Sequence, residues 1–277
     1  MLTSLGWRVE DMPDLVFDTD QFEGTIDPKN ARNCALVAHG ARLLADTVES
    51  KIKDGRFPLI LGGDHSIGVG SLTGILRARP DTGIIWVDAH ADLNTPDAPG
   101  SGNMHGMPIG LLMDHPTESM DHSKLPGFEF LIDGPRIKPE QLVYVGLRDL
   151  DPRERVWIKE LGILAFTMYE VDQYGIGGVM ERAFDHLFKN DPNRPLHISY
   201  DIDAVDPVLA PATGTAVRGG LTFREAHFVA EAVAQTGNLA SAEIVELNPN
   251  LSDNDGADAT MELGLQLITS MMGKSII

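Results

Sequence analysis

Three polar stretches each follow an apolar run, and each holds residue types that bind divalent cations. Gly62-Gly63-Asp64-His65-Ser66 follows Pro58-Leu59-Ile60-Leu61, and Asp88-Ala89-His90-Ala91-Asp92 follows Ile84-Ile85-Trp86-Val87. Asp201-Ile202-Asp203 follows Leu196-His197-Ile198-Ser199-Tyr200. In extended chain, side chains alternate with period two. Positions 88, 90 and 92 then face one side, and so do 201 and 203. The metal-ligand candidates are therefore His65, Asp88, His90, Asp92, Asp201 and Asp203. Carboxylates crowded at a strand end repel one another unless cations lie between them. Four carboxylates neutralise two divalent ions, and two imidazoles complete the shells. Oxygen-rich ligation with some nitrogen and no thiolate suits Mn²⁺, with Fe²⁺, Co²⁺, Ni²⁺ and Zn²⁺ as alternatives. Such a pair, with ions roughly 3.5–4 Å apart, generates hydroxide near neutral pH. A lone Asp-x-Asp is commonly a loop or a cap. The weight of the metal reading lies in several such stretches, each ending an apolar run.

The elements that must position these groups are legible as alternation. Further short apolar runs are Leu142-Val143-Tyr144-Val145, Ile163-Leu164-Ala165-Phe166 and Ala242-Glu243-Ile244-Val245. Helical patterns lie between most of the runs: about 28–54, 66–79, 152–161, 178–189, 223–236 and 259–272. In the first, Val37, Ala41, Leu44, Val48 and Ile52 recur at spacings of three and four, one face of a helix. Alternating strands and helices imply a three-layer α/β/α fold with a mainly parallel twisted sheet. Open sheets of this kind place ligands outside the carboxyl ends of the strands, where the polar stretches fall. Residues 114–141 hold four prolines and little periodicity, an irregular excursion from an otherwise single domain spanning 1–277. His115 and His122 within it are expected to be solvated, and Cys34 to face the core of its helix.

Composition narrows the partners. The 277 residues carry 41 acidic and 22 basic side chains, a formal charge of −19. That argues against a nucleic-acid or anionic-membrane surface, each of which needs a basic patch. No stretch approaches the roughly 20 apolar residues of a membrane helix. The single cysteine excludes an intrachain disulfide and fits a reducing compartment, the cytoplasm or the mitochondrion.

The motifs resemble those of the ureohydrolase family, and within it the arginases. The matching blocks are the three polar stretches, extended through Leu93-Asn94 and Ala204-Val205-Asp206-Pro207, together with Glu243-Ile244-Val245-Glu246-Leu247-Asn248-Pro249. They cover nearly the whole chain in order. The metal blocks also occur in agmatinases and formiminoglutamases, so they do not choose a substrate. That choice rests on Asn94-Thr95-Pro96 and Gly100-Ser101-Gly102-Asn103-Met104-His105-Gly106. The resemblance implies a binuclear manganese enzyme that hydrolyses the guanidinium group of L-arginine to L-ornithine and urea through a metal-bridging hydroxide. It implies that Asn94, Ser101 and Asn103 bind the α-carboxylate and Asp151 the α-amino group. Glu246 would pair with the guanidinium, His105 would shuttle protons, Asp92 would serve both metal and catalysis, and Thr215 would line the site.

An agmatinase-like activity is the alternative in the same chemistry, and an inactive, N-terminally shortened member is the alternative of another class. Pro99 stands where many arginases have a threonine that helps hold the carboxylate. Members of the family also begin with a strand, a glycine-rich loop and a helix. The present chain is expected to lack that first βα unit, exposing backbone groups on the neighbouring strands. The resemblance further implies a homotrimer, with Arg224-Glu225 similar to a pair that bridges subunits.

Overall fold

A computed structural model describes residues 2–16, 19–22, 25–98, 100–115 and 120–274; Pro99 lies outside the described residues. Six strands form one sheet: β1 Leu59–Leu61, β2 Gly83–Val87, β3 Leu142–Leu147, β4 Leu164–Thr167, β5 Leu196–Asp201 and β6 Leu239–Val245. Their order is β1-β6-β5-β2-β3-β4, and every neighbouring pair is parallel. Seven helices accompany them: α1 Cys34–Lys53, α2 Gly68–Ala78, α3 Pro108–Leu112, α4 Pro152–Leu161, α5 Met168–Leu187, α6 Phe223–Gln235 and α7 Asn254–Met271.

Period-two alternation along the strands divides the apolar residues between two cores. Ile85, Val87, Val143 and Val145 pack with Val179, Ala183, Val229 and Leu267 of α5, α6 and α7. Their neighbours Ile84, Trp86, Leu142 and Tyr144 pack with Ala38, Leu72, Ile109 and Trp157 of α1 to α4. The strands are therefore apolar on both faces, as parallel sheets covered by helices require. α1 and α2 approach closely because α2 carries glycines at the contact. A Cβ on Gly70 or Gly74 would fall 2.5 Å from the carbonyl oxygen of Ala41 or Ala45.

The helix starts differ from the periodicity, and local capping explains each difference. α1 begins at Cys34, six residues after Pro28, because the Asp27 carboxylate accepts from the N–H groups of Asn33 (2.6 Å) and Cys34 (3.0 Å). α5 begins ten residues before Gly178. Thr167 caps it, the Glu170 carboxylate accepts from the Thr167 N–H (2.9 Å), and Gly175 breaks the helical path at φ 69°. α7 begins at Asn254, where Asp253 accepts from the Gly256 N–H (2.9 Å).

The 114–141 stretch packs more tightly than its irregular sequence suggests. Among its described residues, Leu125, Phe128, Leu131 and Ile137 are buried. His115 and His122 are buried too, correcting the expectation of solvated rings. His122 Nε2 lies 2.8 Å from the Leu111 carbonyl oxygen, and Trp157 covers His115 at 4.8 Å between ring centroids. Prolines hide periodicity without preventing burial.

β1 forms one edge of the sheet, and no strand pairs its outer side among the described residues. Leu61 at its end is 69% exposed. Residues near the start of the chain contact the C-terminal ends of α7 and α1. Trp7 Nε1 donates to the Met272 carbonyl (2.9 Å), and Glu10 pairs with Lys51 and Arg56. No described helix is long and apolar enough to cross a membrane.

Candidate metal centre and substrate pocket

β1, β6, β5 and β2 are consecutive in the sheet and parallel, so their carboxyl ends stand side by side. The four chain segments leaving those ends carry His65, Glu246, Asp201 with Asp203, and Asp88 with His90 and Asp92. Sheet order thus gathers residues from positions 65 to 246. The local geometry is not the continued strand that period two assumes. Each polar stretch turns at once, and an aspartate carboxylate closes the turn by accepting from the N–H two residues on. Asp64 accepts from Ser66 (3.0 Å), Asp88 from His90 (2.7 Å) and Asp201 from Asp203 (2.7 Å). Asp92 then takes a left-handed backbone, φ 50°, as does Glu246 at φ 64°. Both are non-glycine residues in a conformation that costs of order 1 kcal/mol or more. α3 holds the first of them, since Ile109 and Gly110 donate to the Asp92 carbonyl at 3.0 and 3.2 Å.

Gly110 allows that approach. A Cβ there would stand 2.1 Å from the Asn94 carbonyl oxygen, a backbone atom that cannot turn aside. Gly110→Ala is therefore expected to lower stability by about 1–3 kcal/mol and to displace Asp92 and Asn94 together. Thermal melting with and without Mn²⁺ checks this. The variant should melt lower in both states and gain less from the metal.

The six candidate ligands converge. His65 Nδ1 lies 3.1, 3.1 and 3.2 Å from carboxylate oxygens of Asp88, Asp92 and Asp201. His90 Nδ1 lies 3.3 Å from Asp88 and 3.1 Å from Asp203. Two groups, His65-Asp88-Asp201 and Asp88-His90-Asp203, each bring three donor atoms within 4.8 Å of one another, and Asp88 is common to both. The fit to cations rests on a further observation. His65 Nδ1 is buried, aimed at three carboxylates, and has no hydrogen-bond partner. Trp86 stacks on that imidazole at 4.0 Å, and its Nε1 donates to Asp88 (3.0 Å). Thr215 Oγ1 donates to Asp203 (2.8 Å), which places this threonine behind a candidate ligand.

Without cations the electrostatics are strained. Burial, then the charge of Asp88, pushes the Asp92 carboxyl up to about 7. Burial and neighbouring aspartates likewise raise Asp201 and Asp203. Burial opposes protonation of His90, but hydrogen bonds to Asp203 and Asp88 outweigh it and push the imidazole up to about 12. The metal-free cluster therefore holds extra protons at neutral pH, and two divalent cations displace them. Metal loading is expected to release protons, and affinity to fall as pH falls through 7. Calorimetric titration with Mn²⁺ in buffers of different ionisation enthalpy reads this directly. Buffer-independent heats would contradict it.

Most of the remaining candidates line one cavity of about 170 Å³ with the cluster: Asn94, Ser101, His105, Asp151 and Glu246 surround it, as do Asp149 and Glu154. Glu246 Oε1 accepts from the His65 N–H (2.8 Å) and lies 3.3 Å from His105 Nδ1. Its hydrogen bond raises the His105 imidazole above its ordinary value, partly opposed by burial. Asn94 Nδ2 donates to Asp151 (2.9 Å), so the expected carboxylate and amino contacts are already joined. Asn103 lies in a smaller adjoining cavity. Its N–H donates to Ser101 Oγ (3.1 Å), and Arg32 holds its side-chain oxygen (3.1 Å). Arg224 forks onto Glu231 of its own chain, and Glu225 closes the α6 cap with Thr222.

Sequence reasoning passed over Glu154. Its carboxylate accepts from the N–H groups of Leu93 (3.0 Å) and Asp151 (2.9 Å), tying the metal loop to the start of α4. Burial pushes it up to about 7 against those two donors. The signal was Asp151-Pro152-Arg153-Glu154, a capping box. Asp151 is indeed the N-cap of α4, as well as facing the cavity.

Comparison with known proteins identifies the family. The sequence matches the Arginase family over residues 3–273. An arginase of Glaciozyma antarctica is 40% identical over all of this chain and 79% of its own length. The crystal structure of an arginase from Bacillus subtilis superposes with a TM-score of 0.85 at 37% identity, covering all of this chain and 88% of that one. An Entamoeba histolytica arginase in complex with L-ornithine superposes with a TM-score of 0.77 at 31% identity, covering 90% of this chain and 81% of that one.

Proposed function

Because the chain belongs to the arginase family, a family of metal-dependent hydrolases, we propose that it hydrolyses L-arginine to L-ornithine and urea with two Mn²⁺ ions. One observation carries the reading. A single cavity joins the paired ligand groups to Glu246 and His105 on one side and to Asn94, Ser101 and Asp151 on another. The relative crystallised with L-ornithine supports the choice of amino acid.

His65, Asp88, His90, Asp92, Asp201 and Asp203 would hold the ions. When bound, the pair would supply hydroxide near neutral pH, the nucleophile for the guanidinium carbon. The chain's other residues bind and orient. Glu246, nearly buried, pairs its negative charge with the substrate guanidinium, an interaction strengthened by exclusion of water. Its carboxylate also favours protonated His105, with Nδ1–H toward Glu246. The other ring N–H is then available to the departing ornithine nitrogen. Asn94 and Ser101 offer amide and hydroxyl donors to the α-carboxylate, and Asp151 a carboxylate to the α-ammonium.

Assaying urea release from L-arginine and agmatine in parallel tests the reading. A kcat/KM that strongly favours L-arginine is expected, with loss of that preference in Asp151→Ala. Preference for agmatine would refute the assignment of Asn94, Ser101 and Asp151. A homotrimer is the assembly proposed, and Phe223, exposed beside Arg224, is consistent with a contact there. Sedimentation equilibrium gives three chains per particle on this proposal.

A further inference from the structure

Beneath the metal centre runs a buried polar relay that the reaction itself does not use. Strands β5 and β6 pair with Ser199 opposite Glu243 and His197 opposite Ser241. All four residues are completely buried. Ser199 Oγ lies 2.8 Å from His65 Nε2 and donates to Glu243 Oε1 at 2.6 Å. His197 Nε2 stands 3.5 Å from the same Glu243 oxygen, and its Nδ1 lies 3.0 Å from Ser241 Oγ. A carboxylate buried this deeply inside a sheet is costly, so its retention calls for a role or for good partners. Its second oxygen, Oε2, has no hydrogen-bond partner.

The proton positions follow from donor and acceptor chemistry. An ionised carboxylate only accepts, and a hydroxyl has one proton to give. Ser199 gives that proton to Glu243, so it faces His65 with a lone pair. His65 must then carry its ring proton on Nε2, which leaves the Nδ1 lone pair free. Nδ1 is the atom aimed at Asp88, Asp92 and Asp201 and lacking any hydrogen bond. Were the serine proton turned the other way, Nε2 would accept it, Nδ1 would be protonated, and the ring could not ligate through that atom. Trp86, stacked parallel to the ring, fixes its plane but not its tautomer.

The geometry assigns Ser199 and Glu243 as positioning residues that set the tautomer of His65 and so hold one of the two cations. This rests on the two-cation reading of the site but not on the choice of substrate. Groups that orient a metal-bound histidine typically contribute 10- to 100-fold in metal affinity.

The test is the pair of Mn²⁺ dissociation constants, measured by competition with a chelator for wild type, Ser199→Ala, Ser199→Thr and Glu243→Met. Ser199→Ala should weaken one ion by about 10- to 100-fold and leave the other nearly unchanged. Ser199→Thr, which keeps the hydroxyl, should restore the affinity. Glu243→Met should weaken the same ion, because the freed hydroxyl can turn and donate to Nε2. Wild-type affinity for both ions in Ser199→Ala would overturn the assignment. So would an equal loss of both with a lower melting temperature of the metal-free protein, the signature of a merely structural serine.

A second readout needs no variant at the relay. Nitrogen-15 NMR of the histidine-labelled, Zn²⁺-loaded wild type, assigned with His65→Gln, should show His65 protonated at Nε2. Protonation at Nδ1 would overturn the proposal. Failure to bind two ions at all would instead refute the metal reading, and hydrolysis of another guanidino compound would touch only the substrate.

Discussion

Asp88→Asn is expected to reduce urea release from L-arginine by at least about 10³-fold and to remove most of the stability that Mn²⁺ adds to wild type. Asp88 belongs to both three-residue ligand groups, so its loss weakens both cation positions at once. It is also completely buried among other carboxylates, and its charge raises Asp92, Asp201 and Asp203. In the empty site a neutral amide relieves that repulsion but loses the charge that faces His65 and His90, and its NH2 group must meet either the Trp86 Nε1–H or the His90 N–H that the carboxylate accepts. The metal-free variant should therefore melt modestly lower, and the lost response to Mn²⁺ is what separates this expectation from simple misfolding. Wild type at a metal concentration 100 times its dissociation constant gains about 2.7 kcal/mol. The variant should gain much less. Melting with and without Mn²⁺ and a steady-state urea assay check both halves. A metal-free variant that melts well below wild type would show Asp88 to be needed for folding instead.

The second large effect is Glu246→Gln, expected to lower kcat/KM for L-arginine by about 10²- to 10³-fold without changing the number of bound metal ions. Removing one partner of a desolvated charge pair costs about 2–5 kcal/mol. Glu246 meets the cavity but contributes to neither ligand group. Gln keeps an oxygen for the His65 N–H, so the fold of the β1 turn is retained. The substitution also removes the largest influence that raises His105. The pH limb that depends on protonated His105 should therefore move to lower pH. Unchanged kcat/KM, or loss of a metal ion, would contradict the role given to Glu246.

Much of the fold was readable because parallel strands covered on both faces leave uninterrupted apolar runs. β2, β3 and β5 are found within two residues of their expected ends. The helix starts were harder to read. α1 is capped by Asp27, seven residues before its first residue, a contact that no local pattern contains. The buried state of His115 and His122 was hidden for a related reason. Trp157 and Leu111, which cover them, come from other parts of the chain.

The candidate ligand set was legible because its aspartates sit where strands stop. Period two selected residues that the structure brings together, through an approximate geometry. Turns closed by Asp88 and Asp201, followed by the left-handed Asp92, bring the side chains together. What the sequence concealed were the supporting groups. Glu154 reads as an ordinary cap, and Ser199 and Glu243 read as polar positions on strands. Only strand pairing shows that they face each other beneath His65.

The central claim is that a two-cation centre at these strand ends hydrolyses arginine. It is tested most directly by titrating the metal-stripped chain with Mn²⁺ and recording the rate of urea release from L-arginine at each step. The rate should be near zero without metal and reach its plateau at two equivalents per chain. Full activity in the stripped protein, a plateau at one equivalent, or no urea with two ions bound would each contradict the account.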